Sequence, residues 1–442
     1  MNVLDLMSSL EAQKLAEMNE HLMVGGGTPG PYLVKGKGVR VEDINGRSYI
    51  DCTSQSWALY LGYANDEIRE TVNEHMKSLS HVHQGFGTKS RTMLADKLAA
   101  LAPEGLNRVS FTVGGGPAIE AAMKIAMKNL PGAQNFICLW DAYHGSTLTT
   151  AGASWISTKA GGNFTGTANF LPNLNNNFIR VPNPYCYRCY FGKNCGDCDL
   201  ACAEMMRYQI EKGVCGQVAG VIVEPIQASG GQIIFPERYL RRVREICDEF
   251  GALLIFDEIQ TYCRIGRYFA ADYFGVTPDI IVLGKALGAG LPIAAIIIRD
   301  GLKGFEMKGE ELHTFANNSA AQVAALKQIE IIDRDDILGN TNNIGARLRE
   351  GLIGLREKYP QIGDVRQAGL HIGAEMIDPA DKSPLPGNIS LKLRDKAMDS
   401  GIILGTGGYR KNLLKFKPPL ICGAAEADEI LDSFDKALAN TF

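Results

Sequence analysis

The sequence predicts an α/β protein in which a large domain with a mostly parallel sheet is joined to a smaller α+β domain. Within residues 51–309, short apolar runs alternate with stretches of helical spacing. Strands that alternate with helices usually form a parallel sheet covered on both faces. After about residue 310 the pattern changes to long helices with shorter strand candidates between them. This change predicts a second, smaller domain.

The individual elements follow from the same patterns. The apolar runs that indicate buried strands are 108–112, 135–139, 220–223 and 253–256. Helical spacing is found at 118–128, 198–212, 236–250, 317–333, 337–358 and 425–441. Asn45-Gly46 lies between two strand-like stretches and is a strong hairpin signal. We expect an N-terminal segment, 1–50, that packs with the small domain, a large domain, 51–309, and a C-terminal small domain, 310–442.

Composition limits the classes of function. A chain of 442 residues exceeds the usual size of one hydrophobic core, and 45% hydrophobic residues fit a soluble globular protein. The net charge of −4 gives no reason to expect nucleic acid or an anionic membrane as a partner. Neither a signal peptide nor an apolar run of about 20 residues is present. These observations predict a cytoplasmic enzyme.

Two polar residues follow apolar runs in the large domain. Asp257 ends the run 253–256, and Lys285 follows the run 280–283 and Gly284. Neighbouring parallel strands end at the edge where α/β sheets bind ligands. Pyridoxal 5'-phosphate needs such a pair, because a lysine binds it as a Schiff base and a carboxylate keeps its pyridine nitrogen protonated. Taken singly, each residue could equally be a surface lysine or a capping aspartate.

Two further segments follow strands in the same way. Gly114–Pro117 joins a strand to the start of a helix, where free backbone N–H groups and the helix dipole favour an anion such as a phosphate. Tyr143 and His144 follow the next strand, where an aromatic ring could stack on a pyridine ring. Glycines also serve merely as turns, and an isolated tyrosine is more often simply packed.

Together these segments resemble the class III aminotransferases, which are pyridoxal-phosphate-dependent enzymes of fold type I. The resemblance covers essentially the whole chain, and it rests on Asn45-Gly46, Tyr143-His144-Gly145, Val223-Glu224-Pro225-Ile226-Gln227, Asp257-Glu258-Ile259-Gln260, Gly284-Lys285-Ala286-Leu287-Gly288, His313-Thr314-Phe315 and Pro418-Pro419-Leu420. It implies the PLP-dependent transferase fold type I, with the mostly parallel sheet in the large domain.

The resemblance also implies roles for the matching residues. Lys285 would form the Schiff base and move the proton of the substrate, while Asp257 would pair with the pyridine nitrogen and Tyr143 would stack on the ring. The further cofactor contacts that it implies are Gly115, Gly116, His144, Glu224, Gln260 and Thr314. Gly115 and Gly116 would meet the phosphate, and Gln260 would lie near the ring hydroxyl.

Thr314 carries the implication for assembly. In such enzymes this threonine reaches the phosphate bound by the neighbouring subunit, so the resemblance implies a homodimer with active sites at the interface. A tetramer built from such dimers is also compatible with it. The small-molecule partners would be an amine or amino acid and a 2-oxo acid.

The sequence departs from the family at the substrate end. The arginine that commonly grips a substrate carboxylate is replaced by Lys415, and its glutamate partner by Ser229. The absence of this pair favours donors whose amine is not beside a carboxylate, such as ω-amino acids or taurine-like amines. Trp57 aligns with a pocket aromatic, although a core tryptophan is about equally expected.

Two loops also depart from the family. The phosphate loop lacks the two hydroxyls of the usual Ser-Gly-Ser/Thr, because glycines occupy positions 114–116. Backbone N–H groups would then supply more of the hydrogen bonds to the phosphate, or a phosphate-binding residue elsewhere would compensate for the lost hydroxyls. The segment after Gln260, 261–266, is one residue shorter than is common. Pocket shape is therefore expected to differ from that of the common members.

The favoured reaction is the transfer of an amino group from an amine or amino acid donor, preferably of the ω type, to a 2-oxo acid. A racemase or epimerase and an amine phospho-lyase use the same cofactor and remain alternatives. None of the residues named above separates these three reactions.

A cysteine cluster stands apart from these motifs. Cys186, Cys189, Cys195 and Cys198 have the spacing C-x2-C-x5-C-x2-C, and Cys202 follows. Two C-x2-C pairs are typical of a structural zinc or iron–sulfur site, although five residues is a short separation for a zinc ribbon. Reduced structural thiols are the default interpretation, and a metal site is the alternative.

Overall fold

The computed structural model describes residues 2–23, 30–158, 177–307 and 309–442. The strands are β1 Leu33–Lys37, β2 Arg40–Asp43, β3 Ser48–Asp51, β4 Leu106–Thr112, β5 Asn135–Leu139, β6 Phe178–Val181, β7 Val218–Val223, β8 Ile226–Gln227, β9 Ile233–Ile234, β10 Leu253–Asp257, β11 Ile280–Leu283, β12 Ala294–Arg299, β13 Ile362–Ala368, β14 His371–Met376, β15 Ile402–Ile403, β16 Gly405–Gly407 and β17 Leu413–Phe416.

The helices are α1 Val3–Ser9, α2 Ala12–Met18, α3 Ser54–Trp57, α4 Asp66–Met76, α5 Lys89–Leu101, α6 Gly115–Asn129, α7 Leu148–Ala153, α8 Ala201–Tyr208, α9 Glu237–Phe250, α10 Ala270–Phe274, α11 Ser319–Arg334, α12 Ile337–Lys358, α13 Gly387–Asp399 and α14 Ala424–Ala439. Of these, α3 is a single turn whose four residues all have positive φ. Its backbone is therefore left-handed.

A seven-stranded sheet forms the centre of the molecule. Its strand order is β4-β12-β11-β10-β7-β5-β6. The pairs from β11 to β6 are parallel, and β12 runs antiparallel to both of its neighbours. The prediction of a mostly parallel sheet is confirmed. The predicted strands at 108–112, 135–139, 220–223 and 253–256 all belong to this sheet.

The local sequence explains how the chain delivers a carboxylate to the edge of this sheet. Helix α9 buries one face, which includes Leu240, Val243 and Ile246, and each such side chain contributes roughly 1.5–3 kcal/mol. Gly251, with φ +66°, then ends the helix in the left-handed conformation that glycine adopts readily. All five residues of β10 are buried. The residues 253–256 are apolar, and the last residue of the strand is Asp257.

The described residues form three smaller sheets, of which one is the two-stranded pair β8-β9. The hairpin predicted at Asn45-Gly46 joins β2 to β3, and Gly46 has φ +78°. This hairpin lies in a sheet of order β1-β2-β3-β15, so the N-terminal strands pair with a strand from residues 402–403. A second sheet has the order β13-β14-β17-β16. The boundaries proposed at residues 50 and 309 remain a prediction.

Helix α12 spans the predicted range, and α11 starts two residues later than predicted, after Asn318 caps it. The range 198–212 is divided between α8 and a π-helical turn, Gln209–Gly213. Among the described residues, no helix is both long enough and apolar enough to cross a membrane.

Candidate active site

A cavity of about 240 Å³ opens at the carboxyl edge of the central sheet. Asp257 is the last residue of β10, and Lys285 lies two residues beyond the end of the neighbouring β11. The cavity is lined by Gly115, Gly116, Pro117, Tyr143, His144, Gly145, Ser146, Thr147, Glu224, Asp257, Ile259, Gln260 and Lys285. The structure therefore brings together eight of the nine residues that the sequence predicts as cofactor contacts, and Thr314 is the ninth.

Lys285 is held on an unusual backbone. It begins a 3₁₀ turn, Lys285–Gly288, and has φ +45°, a conformation that non-glycine residues adopt rarely. Burial lowers the pKa of its amine, while the charges of Asp257 and Glu224 act in the opposite direction. A lysine with a lowered pKa is more often neutral and can act as a nucleophile or a base.

Asp257 is buried against a histidine. Its Oδ2 lies 2.8 Å from Nδ1 of His144, and its Oδ1 accepts a hydrogen bond of 3.2 Å from the backbone N–H of Ile259. The backbone N–H of His144 donates to Oγ of Ser154 at 2.8 Å, which fixes the loop that carries the ring. The carboxylate is thus fixed in orientation at the base of the cavity.

Glu224 holds the loop that carries Tyr143. One carboxylate oxygen accepts from the backbone N–H of Tyr143 at 2.9 Å, and the other accepts from Ala228 at 3.1 Å. Burial raises the pKa of Glu224 to about 7, and the charge of Asp257 raises it further, while His144 lowers it. Glu224 therefore shapes the wall of the cavity through two backbone contacts.

The amino end of α6 faces the same cavity. This 15-residue helix begins at Gly115, and Gly114, its N-cap, supplies no side-chain cap. A Cβ atom at Gly116 would come within 3.0 Å of Thr147, and one at Gly115 within 2.8 Å of Ile259. A side chain at either position would therefore require the end of the Thr147 or the Ile259 side chain to shift. Uncapped N–H groups at a helix start form an anion site.

A second buried group lies beside this cavity. The amine of Lys417 donates to Oε1 of Gln260 at 3.1 Å. The amines of Lys415 and Lys417 lie 5.0 and 4.7 Å from the centre of the Trp57 ring. Both lysines are buried, and among the described residues no carboxylate forms an ion pair with either.

The two lysines differ in what surrounds their amines. Burial lowers the pKa of Lys415 to about 8, with a smaller contribution from Lys285 and an opposing one from Glu224. Burial also lowers the pKa of Lys417 well below its ordinary value, and the charges of Lys415 and Arg264 add to this. Such clusters of like charge are costly unless an anion joins them.

Four residues predicted from the sequence are outside the cavity lining: Trp57 and Lys415, which lie beside the cavity, and Ser229 and Thr314. Ser229 accepts from the backbone N–H of Gly408 at 3.0 Å through its carbonyl, and no side-chain contact of it with Lys415 is recorded among the described residues. Thr314 is exposed in this chain, next to exposed Phe315. A contact of Thr314 with a neighbouring subunit stays a prediction.

Residues 27–438 match the family described as Aminotransferase class-III. The chain belongs to the class III aminotransferases. This aminotransferase is 33% identical over 410 residues to a leucine/methionine racemase of Thermococcus litoralis, a match that covers 92% of this chain and 90% of the relative. It is 32% identical to a taurine–pyruvate aminotransferase of Bilophila wadsworthia, covering 91% of each.

Solved structures agree with the fold. An (S)-enantioselective ω-transaminase from Thermomicrobium roseum superposes with a TM-score of 0.89 at 26% identity, covering 98% of this chain and all of that one. An amine transaminase from an uncultivated Pseudomonas species in its PLP-bound form gives 0.87 at 26% identity, covering 96% and 99%. The predictions of fold type I, of pyridoxal phosphate as cofactor and of an aminotransferase are confirmed.

The cavity of the aminotransferase fits this cofactor. It offers an amine at Lys285, an oriented carboxylate at Asp257 and uncapped backbone donors at the start of α6. Nε2 of His144 is buried without a hydrogen-bond partner among the described residues, so this nitrogen is available for a further hydrogen bond. A primary amine, a carboxylate and a helix N-terminus match the aldehyde, the pyridine nitrogen and the phosphate of the cofactor respectively.

Sequence reasoning missed three side chains. Ser146 and Thr147 also line the cavity, and the Thr147 side chain lies next to Gly116. Lys417 was missed although it stands two positions after Lys415. Because side chains two apart in a strand share a face, the spacing alone could have pointed to it.

The five cysteines of the 186–202 segment line one small cavity of about 20 Å³. All eleven cysteines of the chain are free. Among the described residues, no group of three or more cysteine, histidine or acidic side chains is arranged to hold a metal ion. Burial raises the pKa of Cys186 to about 12, and contact with Cys195 adds to this, so Cys186 is a neutral thiol. The interpretation of these cysteines as reduced structural thiols stays a prediction.

Proposed function

We propose that this enzyme transfers the amino group of a donor whose amine is not beside a carboxylate, and which carries an anionic group elsewhere, to a 2-oxo acid. Pyridoxal phosphate supplies, when bound, an electron sink for the carbon that loses its proton. Lys285 binds the cofactor and then moves a proton to and from the substrate carbon. Lys415 holds the anionic group of the donor.

The buried amine of Lys415 is the observation that carries this proposal. It lies over Trp57 and close enough to Lys285 for their charges to interact, and no described carboxylate balances it. A buried unpaired cation is costly, and an anionic ligand would offset that cost. By the resemblance to the family, Ser229 replaces the glutamate that would compete for this cation, which would leave the cation to the donor.

The residues that would hold the cofactor are arranged around three of its groups. Asp257, oriented by His144, would keep the pyridine nitrogen protonated. The backbone N–H groups of Gly115 and Gly116 would bind the phosphate. Tyr143, fixed through Glu224, would cover the ring. Lys285 lines the same cavity.

We also propose a homodimer. The segment 79–93 and the segment 311–319 are joined by hydrogen bonds from Asn317 to the carbonyl of Phe86 and from Ser319 to that of Leu79. Together these segments expose large apolar side chains, namely Leu79, Phe86, Met93, Leu312 and Phe315. A second copy would cover such a surface. Thr314 lies within it and would reach the partner's active site in such a dimer.

A racemase is the second candidate, because a racemase is among the relatives at 33% identity. It would return the proton to the opposite face of the substrate carbon and would need no 2-oxo acid. Lys415 would then hold the carboxylate of an α-amino acid. The reaction outcome, and not the cofactor site, distinguishes the two candidates.

A panel of donors tests the proposal. Purified enzyme is mixed with each donor first without and then with pyruvate or 2-oxoglutarate, and the visible absorbance of the bound cofactor is followed. We expect taurine, β-alanine and γ-aminobutyrate to bleach it and the oxo acid to restore it. Inversion of one enantiomer of an α-amino acid without any oxo acid would instead establish the racemase. Strong turnover of α-amino acids alone would refute the ω-type assignment.

A further inference from the structure

The contact between Lys417 and Gln260 decides which end of an amide faces the cofactor cavity. Oε1 of Gln260 accepts from the amine of Lys417, and the side chain of Gln260 lines the cavity. No acceptor for its Nε2 is recorded among the described residues. The amide thus presents its N–H₂ end, a donor, to whatever occupies the cavity.

The amine that sets this orientation is itself firmly placed. The backbone N–H of Lys417 donates to the carbonyl of Cys52 at 2.8 Å, and its own carbonyl accepts from Oγ of Ser54 at 2.6 Å. Trp57, which ends the left-handed turn begun by Ser54, covers the amine. The side chain is fully buried, and its amine donates a hydrogen bond to Gln260. It therefore has no solvent to turn toward.

The resemblance to the family implies that the acceptor is the ring oxygen of the cofactor, and the other polar groups of the cofactor have partners elsewhere in the cavity. The start of α6 would bind its phosphate, Asp257 would pair with its pyridine nitrogen, and Lys285 would react with its aldehyde. The ring oxygen beside the aldehyde is the polar group that remains, and it accepts hydrogen bonds best as an anion. Gln260 follows Asp257 by three residues and lines the same cavity. Its N–H₂ group is suited to that oxygen.

We propose that Lys417 is a positioning residue that orients the amide of Gln260 so that it donates to the ring oxygen of the bound cofactor. The inference rests on the proposed placement of the cofactor in this cavity. A donor stabilises the anionic oxygen, so it lowers the pH at which the bound chromophore titrates. Without Lys417 the amide is free to turn its oxygen toward an oxygen anion, which disfavours that anion.

The test is a pH titration of the visible absorbance of the holoenzyme without substrate. For Lys417→Met we expect the midpoint to rise by about one pH unit, the size expected for one charge-assisted hydrogen bond. Gln260→Leu should raise it by a similar amount, and the double variant no further. Lys417→Arg keeps N–H donors and should stay near the wild type. Arg244→Met, which removes a cation paired with Asp279 at the opposite end of the sheet, controls for lost stability.

Each outcome decides the inference. An unchanged titration midpoint in Lys417→Met overturns it. A midpoint in the double variant that is higher than in either single variant also overturns it, and so does a shift in Lys417→Met when Gln260→Leu leaves the midpoint unchanged. If Lys417→Met does not fold, Lys417→Gln, whose amide is too short to reach Oε1, makes the same comparison. A wild-type enzyme without any visible band would overturn the proposed cofactor site instead, which distinguishes the two failures.

Discussion

Nδ1 of His144 lies 2.8 Å from Oδ2 of Asp257, and both side chains are almost completely buried. The contact joins the loop after β5 to the end of β10, two strands that are separated by β7 in the sheet. A buried carboxylate needs such a partner, because burial otherwise favours its neutral form. In this enzyme the neutral form could not pair with a protonated pyridine nitrogen.

Replacing this histidine should therefore weaken cofactor binding. For His144→Ala we expect the affinity of the apoenzyme for pyridoxal phosphate to fall at least tenfold, because one hydrogen bond to a charged group is lost. Fluorescence titration of the apoenzyme measures it. His75→Gln, in α4, is a matched control away from the cavity. An unchanged dissociation constant for His144→Ala would show that Asp257 does not depend on this contact.

Lys285 should be the point of covalent attachment. After reduction of the holoenzyme with borohydride, intact mass spectrometry should find one cofactor per chain in the wild type and none in Lys285→Ala. Lys97→Ala, at an exposed lysine paired with Asp333, should keep the adduct. Retention of the adduct by Lys285→Ala would contradict the assignment, because no other lysine lines the cavity among the described residues.

Donor binding should depend on pH through Lys415. Its pKa of about 8 is lower than that of an ordinary lysine, so its charge is lost as the pH rises above 8. The KM of an anionic donor should then rise by up to about tenfold per pH unit relative to that of an uncharged amine donor. Steady-state kinetics from pH 7 to 10 measures this ratio. In Lys415→Met the ratio should be independent of pH, and a parallel rise there would assign the effect to another group.

Glu224 should make the apoenzyme less stable as the pH rises. Its pKa in the folded chain, about 7, lies above that of an exposed glutamate, so the folded chain binds its proton more tightly than the unfolded chain does. The contribution is fully present at pH values below the ordinary pKa and is lost as the pH rises through 7. The free energy of unfolding should therefore fall between pH 5 and 8.

Glu224→Gln carries no such proton, so its unfolding free energy should depend less steeply on pH over the same range. It should also be less stable than the wild type at pH 5, because an amide has one oxygen for the two N–H groups of Tyr143 and Ala228. Urea denaturation at each pH measures both effects. Equal slopes for the two proteins would mean that Glu224 titrates normally.

Much of the fold and of the cofactor site could be predicted from the sequence. Apolar runs, glycine turns and helical spacing are local patterns, and they correctly indicated the strands that carry Asp257 and Lys285. The edge at which these strands end follows from the parallel arrangement. Eight predicted contacts accordingly lie around one cavity, although their individual roles stay a prediction.

The sequence by itself thus determined the family, the cofactor and the sheet edge, because each depends on residues close together in the chain. The tertiary structure decided which distant side chains meet. His144 and Asp257 are 113 positions apart, and Lys417 and Gln260 are 157 apart. No local pattern encodes such contacts, since they arise only when separate elements pack. The same packing buries Lys415 without an acidic partner among the described residues, and the proposed class of donor rests on this charge.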